Sequence, residues 1–109
     1  MLSKSRRIPR KDFLLIKNKG DFVSDNLLSL RFLKQVDGKS RFSFSVSKKV
    51  SNKAYIRNKL RRMGYLVAVE YLDKTCPALI HTSFKKIPES KNTFSKSFCA
   101  MLSLAKLLK

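Results

Sequence analysis

The chain has 109 residues, a length that suits one domain with one modest hydrophobic core. It carries 25 Lys and Arg residues against seven Asp and Glu, so its formal net charge is +18. This charge argues against an ordinary metabolic enzyme and favours a polyanionic partner. The single histidine, His81, excludes a pair of catalytic histidines and a His-rich metal site. Because it lies in an apolar stretch, we interpret it as a strand residue.

The acids and cysteines also lack the spacing of a catalytic or metal site. Asp12, Asp21 and Asp25 are the only group of three acids that lie near one another in the sequence, and they surround a predicted turn, so a two-metal nuclease centre is not expected. Cys76 and Cys99 lack C-x-x-C spacing and are expected to be free thiols. The sequence shows no export signal and no apolar run long enough to cross a bilayer. We therefore expect a cytoplasmic protein without a membrane partner.

The N-terminal part predicts a basic arm followed by a short helix. Residues 1–8 are expected to form a flexible arm at the start of a single domain that takes in the whole chain, 1–109. A helix is predicted over residues 9–19, with Pro9 in its first turn and Gly20 as its end. Phe13 and Ile16 lie three residues apart on one face of this helix.

Two alternating segments predict strands joined in a hairpin. Apolar and polar residues alternate over residues 27–35 and again over residues 41–47. The turn predicted at residues 36–39 contains Asp37-Gly38, a strong hairpin signal. We therefore expect an antiparallel pair with one apolar face and one small polar face from which Arg31 projects.

Residues 48–71 predict an amphipathic helix with a basic side. Its apolar stripe is expected to comprise Ile56, Leu60, Met63, Val67 and Tyr71, and Ser51 or Asn52 is expected to cap its start. Residues 48–62 contain seven basic residues and no acid. A solvated helix face is the ordinary interpretation of such a run. Here like charges one turn apart, such as Arg57 and Arg61, would repel, which favours phosphate binding instead.

The last elements predict a strand over residues 78–84 and a helix over residues 93–108. Together the elements predict a single-domain α+β sandwich in the order α-β-β-(β)-α-β-α, with helices on one sheet face and the other face free for a ligand. For Phe13 two interpretations stay open. It either packs the first helix on the sheet, or with Leu30 and Arg31 it lines a groove for single-stranded nucleic acid.

Two motifs resemble those of the bacterial ribonuclease P protein subunit. The stretch 45–50 reads S-V-S-K-K-V, and residues 57–62 read R-N-K-L-R-R, close to the family's S-K-K and R-N-R-x-K-R runs. Upstream, Asp12-Phe13 followed by Ile16 and Gly20 resembles the family's D-F-x-x-V-x-x-x-G helix. The resemblance implies a central mixed sheet with a left-handed β-α-β crossover. It also implies a protein that binds a catalytic RNA and precursor tRNA, whose 5′ leader is removed by magnesium bound mainly to the RNA.

The resemblance further implies two sets of site residues and no obligate protein partner. The set expected to contact the catalytic RNA is Lys48, Lys49, Lys53, Arg57, Asn58, Lys59, Arg61 and Arg62. The set expected to line the leader cleft is Phe13, Ile16, Lys17, Leu30, Arg31, Lys85 and Lys86. Lys17 and Arg31 stand where the family often has aromatic residues, so leader contacts are expected to be more electrostatic and less stacked.

Two other functions fit the charge and size. A small ribosomal or other structural RNA-binding protein would have no enzymatic role. A DNA-binding regulator would use the basic helix for recognition, but strands precede that helix where a helix-turn-helix protein has its first helix.

Overall fold

The structure is a computed structural model that describes residues 6–34 and 39–108. A short 3-10 turn at Arg10–Asp12 leads into the first helix. The helices and strands, in chain order, are α1 (Phe13–Lys19), β1 (Asp21–Ser24), β2 (Leu28–Lys34), β3 (Arg41–Val46), α2 (Ala54–Val69), β4 (Ala78–Phe84) and α3 (Lys91–Leu104).

The four strands form one mixed sheet in the order β1-β2-β4-β3. The pairs β1/β2 and β2/β4 are antiparallel, whereas β3 and β4 are parallel. Parallel neighbours need a long crossover, and α2 provides it. The predicted α+β sandwich with a mixed sheet is therefore confirmed. The left-handed sense of the crossover stays a prediction.

The predicted hairpin is wrong, because β4 lies between β2 and β3. Leu79 and Ile80 of β4 are fully buried, as predicted for a central strand. At Leu79 and Ile80 the strand is covered on both faces, which suits this apolar stretch better than an edge position would. Of the proposed turn at residues 36–39, positions 36–38 lie outside the described residues. The edge strand β1 supplies the further short strand that the sequence had only suggested.

The core lies between the sheet and the two long helices. Alternate residues of β2, β3 and β4 face α2 and α3, and an aromatic cluster fills the space between them. Phe94 stacks on both Phe84 and Phe98, at centroid distances of 5.1 and 5.6 Å. Gly64 lets α2 approach the sheet, since a Cβ there would lie 2.6 Å from Cδ1 of Phe44.

Several helix ends differ from their predictions: α1 begins at Phe13 rather than at residue 9, and α2 runs from Ala54 to Val69 within the predicted segment 48–71. Lys53 is the N-cap residue of α2 and makes no side-chain cap, while the Ser51 hydroxyl accepts from the Lys53 N–H at 3.2 Å. The α3 helix begins at Lys91 and is capped by Ser90, which accepts from the Thr93 N–H. It stops at Leu104 rather than at residue 108, because Lys106 adopts a left-handed φ of 60° that no helix can continue through.

The described end of the predicted basic arm is docked on the fold. The Arg6 guanidinium donates to the carbonyl oxygens of Ser40 at 3.0 Å and Leu72 at 2.9 Å. The Ile8 N–H donates to the Phe42 carbonyl at 3.3 Å, and the Ile8 side chain is buried. Residues 6–8 therefore belong to the folded domain.

Candidate nucleic-acid interface

The sheet face opposite α2 and α3 presents two polar rows across the strands. Residues paired across neighbouring strands lie on the same face, so the register defines each row. The first row, from β1 to β3, is Phe22, Arg31, His81 and Ser43. The second row, in the same order, is Ser24, Ser29, Ser83 and Ser45. These two rows, the polar floor, alternate with the core-facing residues, as the strand patterns predicted.

The neighbouring end of the same face is apolar and covered. Ile8 and Ile16 pack on Leu79, with Leu33 against them. This contact fixes α1 along one side of the polar floor. Gly20 permits the tight return from α1 into β1, because a Cβ there would come within 2.9 Å of the Phe32 carbonyl oxygen.

A cleft of about 270 Å³ lies between α1 and the polar floor, here called the α1 cleft. Its lining residues are Phe13, Ile16, Lys17, Arg31, His81 and Ser83. Phe13 meets His81 edge to face at a centroid distance of 5.3 Å, with 37% of its side chain left exposed. Phe13 therefore packs against His81 of the sheet and also lines the cleft, so its position is compatible with both interpretations drawn from the sequence. Ile16 is almost fully buried and contributes only an edge.

Three residues predicted for this cleft lie elsewhere. Leu30 is fully buried in the core on the opposite sheet face, because it alternates with Arg31 along β2. The prediction that Leu30 lines the cleft is therefore wrong. Lys85 and Lys86 follow the end of β4 and are exposed, outside the residues that line the cleft. The Lys85 ammonium donates to the Asp25 carbonyl at 2.7 Å.

His81 lies at the centre of a cluster of serine hydroxyls that hydrogen-bond to its ring. Its Nδ1 lies 2.5 Å from the Ser43 Oγ, and its Nε2 lies 3.3 Å from the Ser45 Oγ. Burial lowers the pKa of His81 below its usual value of 6.5, and the positive charge of Arg31 lowers it further. The imidazole is thus neutral at neutral pH and can exchange hydrogen bonds with a ligand. It is the strand residue that the sequence indicated.

Phe22 is a cleft-side residue that sequence reasoning missed. It is exposed on the edge strand β1, and the Arg31 guanidinium lies over its ring, 5.2 Å from the centroid. This cation–π contact holds Arg31 across the polar floor. The signal was present in D-F-V-S at residues 21–24, but a four-residue strand is too short to stand out by alternation.

The second surface is the basic side of α2, here called the basic face. It comprises the residues that were predicted from the sequence, namely Arg57, Asn58, Lys59, Arg61 and Arg62, with Lys48, Lys49 and Lys53 in the segment leading to the helix. Each is exposed or half-buried. The buried residues of α2 are Leu60, Gly64, Val67 and Ala68, and none of the basic residues is among them.

Hydrogen bonds orient part of the basic face. The Arg57 guanidinium donates to the Ser51 carbonyl at 2.9 Å, which ties the helix to the turn before it. The Arg61 guanidinium donates to the Asn58 side-chain oxygen. No acid lies between residues 48 and 69, so this surface has no carboxylate of its own to neutralise it. Lys48 and Lys49 follow β3 directly and connect the strand that carries Ser45 to the basic face.

Within the described ranges, no group of three His, Cys, Asp or Glu residues could hold a metal ion. Asp25 has a structural role instead. Its carboxylate accepts from the backbone N–H groups of Leu27 and Leu28 and from the Ser97 hydroxyl. Burial opposes its charge, but these bonds and Lys85 together lower its pKa below 3.8. No helix in the described part of the chain is long and apolar enough to span a membrane.

Comparison with known proteins identifies the family. The model of the family described as ribonuclease P matches residues 2–68, more than half of the chain. The chain belongs to the ribonuclease P protein family. The match includes α1, the first three strands, nearly all of α2 and therefore the basic face, whereas the part of the α1 cleft that β4 supplies, His81 and Ser83, lies beyond it. Proteins of this family take part in tRNA processing together with the ribonuclease P RNA.

Solved ribonuclease P proteins share the fold. The Staphylococcus aureus protein at 2.0 Å superposes with a TM-score of 0.84 at 22% identity, covering 97% of this chain and 100% of that one. Another structure of the S. aureus protein superposes with a TM-score of 0.82 at 24% identity, covering 100% of this chain and 96% of that one. The Thermotoga maritima protein superposes with a TM-score of 0.79 at 23% identity, covering 90% of this chain and 96% of that one. No curated protein sequence matches the chain significantly.

Proposed function

We propose that this ribonuclease P protein binds the catalytic RNA through the basic face and the 5′ leader of precursor tRNA through the α1 cleft. The observation that carries the proposal is the acid-free basic face on a helix whose opposite side is a clean core stripe. Arg57 and Arg61 are spaced about 6 Å apart at their side-chain roots, a spacing that suits neighbouring phosphates.

The α1 cleft suits a single strand that carries little sequence information. Phe13 offers a partly exposed aromatic ring, Arg31 and Lys17 offer charge, and the serine rows offer hydroxyls to ribose and phosphate oxygens. An aromatic side chain beside a basic rim is a common arrangement for single-stranded nucleic acid. The positions of Lys17 and Arg31 at the cleft support the sequence expectation of more electrostatic and less stacked leader contacts.

In this proposal the protein positions RNA, and the RNA carries the chemistry. Magnesium, bound mainly by the RNA, would activate the water that hydrolyses the leader junction. The described residues hold no group of three acids, histidines or cysteines that could bind a metal ion, and the Asp25 carboxylate is used in a loop; in this proposal the protein contributes positive charge and shape. Added positive charge lowers the magnesium concentration that the folded RNA–substrate complex needs.

Salt-dependent binding to the ribonuclease P RNA tests the basic face. Removing one phosphate contact should lower the slope of log affinity against log salt by roughly 0.7–0.9. We expect this for Arg57→Ala and for Arg62→Ala, the latter an exposed residue whose removal leaves the turn at Ser51 intact. Lys96→Ala on α3 removes an equal charge away from the basic face and should keep the slope.

If Arg57→Ala, Arg62→Ala and Lys96→Ala all keep the salt slope of the wild-type protein, the assignment of the basic face is refuted. Sedimentation of the protein with ribosomal subunits, and without ribonuclease P RNA, would instead support the structural RNA-binding alternative. Each outcome is read on protein whose thermal melting confirms that the variant is folded.

A further inference from the structure

A groove separates α2 from the segment that follows β4. It has a volume of about 720 Å³, within the range of ligand-binding pockets. The α2 wall carries Tyr55, Ile56, Lys59, Leu60, Arg62, Met63 and Leu66. The other wall is formed by residues 87–91, which begin with Ile87 and Pro88. This groove is separate from the α1 cleft, with which it shares no lining residue.

The helix carries a second stripe along this groove, outside the core. Tyr55, Lys59, Arg62 and Leu66 are spaced four, three and four residues apart, so they share one side of α2. Tyr55 is 67% exposed and Leu66 is 53% exposed, and Ile87 across the groove is 51% exposed. Because these exposed side chains line one groove together rather than lying singly on the surface, they mark a candidate interaction site.

The charges at the groove indicate the chemistry of that partner. Lys59 and Arg62 lie on the helix wall and Lys91 lies on the opposite wall, while Glu89 is the one acid among the lining residues. Lys59 and Arg62 also belong to the basic face, so the apolar groove borders the surface that is expected to hold phosphates. A second copy of the chain would bring the same positive groove and a further +18 charge, which disfavours self-association here.

We infer that this groove receives an unstacked nucleobase of the RNA whose phosphates lie on the basic face. The inference rests on the proposed function. The base stacks on the Tyr55 ring and is enclosed by Met63 and Ile87, while Lys59 and Arg62 hold the flanking phosphates. RNA-binding proteins recognise bulged and looped nucleotides through this combination of aromatic face and basic rim.

Binding to the ribonuclease P RNA from the same organism separates stacking from charge. Tyr55→Ala should weaken affinity about ten-fold and leave the salt slope unchanged, because no phosphate contact is lost. Tyr55→Phe keeps the ring and should retain affinity. Leu104→Ala removes an equally exposed apolar side chain from α3 and serves as the matched control.

A second measurement identifies the nucleotide. Chemical probing of the RNA should find a nucleotide that wild-type protein protects and Tyr55→Ala leaves reactive. An abasic substitution at that nucleotide should cost the wild-type protein the same ten-fold and cost Tyr55→Ala nothing more, since both remove one contact.

The outcomes distinguish the inference from the proposed function. If wild-type protein does not bind the RNA, or Arg57→Ala leaves the salt slope unchanged, the proposed function fails. If the salt slope responds to Arg57→Ala but Tyr55→Ala binds like Leu104→Ala, only the nucleobase groove is refuted. Concentration-dependent dimerisation that Tyr55→Ala abolishes would assign the groove to a second copy and also overturn the inference.

Discussion

His81 couples the stability of the domain to pH. Its pKa is lowered in the folded protein, whereas the unfolded chain takes up a proton near pH 6.5, so acid favours unfolding. Stability should be complete above about pH 6.5 and fall as the pH drops towards the lowered pKa. We expect the melting temperature to decrease between pH ~7.5 and ~5.5, and to decrease less in His81→Gln. Equal decreases in melting temperature for the wild type and His81→Gln would show that another group causes the pH dependence. Asp25 does not interfere, because the stability that its lowered pKa provides is lost only as the pH falls below about 5.

Phe13 tests the α1 cleft at the level of one side chain. Phe13→Ala should leave binding of the ribonuclease P RNA unchanged and reduce the preference for precursor over mature tRNA by about ten-fold, the value of one stacked base. Leu14→Ala, on the exposed side of the same helix, is the control. If Phe13→Ala only lowers the melting temperature and keeps the tRNA preference, Phe13 is a packing residue.

Leu30 and Arg31 show what residue patterns could and could not predict. Neighbours in a strand point to opposite faces, so both could not line one cleft, and the alternation already placed Leu30 with Leu28 and Phe32. Resemblance to a family does not override that rule. Phe22 could not be found in this way, because its role depends on pairing with Arg31 across two strands.

At the scale of elements, Gly64 sets the distance between α2 and β3. A glycine costs a helix about 1 kcal/mol relative to alanine, yet Gly64→Ala should destabilise the protein by about 1–3 kcal/mol because the new Cβ meets the Phe44 ring. Denaturant unfolding measures the change. In a Phe44→Leu background the loss should shrink, since the ring is gone. A stabilised Gly64→Ala variant would contradict the packing.

The loop between β1 and β2 depends on Asp25. Asp25→Ala removes the acceptor for two backbone N–H groups and for the Ser97 hydroxyl, and should lower the free energy of unfolding by about 1–3 kcal/mol. Asp73→Ala, at an exposed acid after α2, is the control and should change it little. Equal losses in both variants would point to net charge rather than to the loop.

Local sequence patterns predicted where the helices and strands lie better than they predicted which strands are neighbours in the sheet. The alternating segments and the 3.6-residue stripe placed β2, β3, β4 and α2 correctly, because burial periodicity is local. Strand order is decided by long-range packing, and the Asp-Gly signal favoured a hairpin that the buried β4 displaces. The end of α3 depends on the left-handed backbone conformation of Lys106, which the presence of a lysine does not predict.

At the scale of the whole molecule, part of the +18 charge is concentrated on two surfaces, which together hold nine of the 25 basic residues. The basic face carries it without acids, and the α1 cleft carries a smaller share on Lys17 and Arg31. The sequence predicted the first surface almost completely, since a helix face is a local feature. The second surface needed the sheet, because its floor is assembled from four strands.

The most direct test of the central claim is leader removal from precursor tRNA, measured across magnesium concentrations with the ribonuclease P RNA alone, the protein alone, and both. We predict that the protein alone does not cleave, that the RNA alone cleaves only at high magnesium, and that the two together cleave at low magnesium. Arg57→Ala should shift this requirement back towards that of the RNA alone. Cleavage by the protein alone, or an unchanged magnesium requirement when the protein is added, would contradict the account.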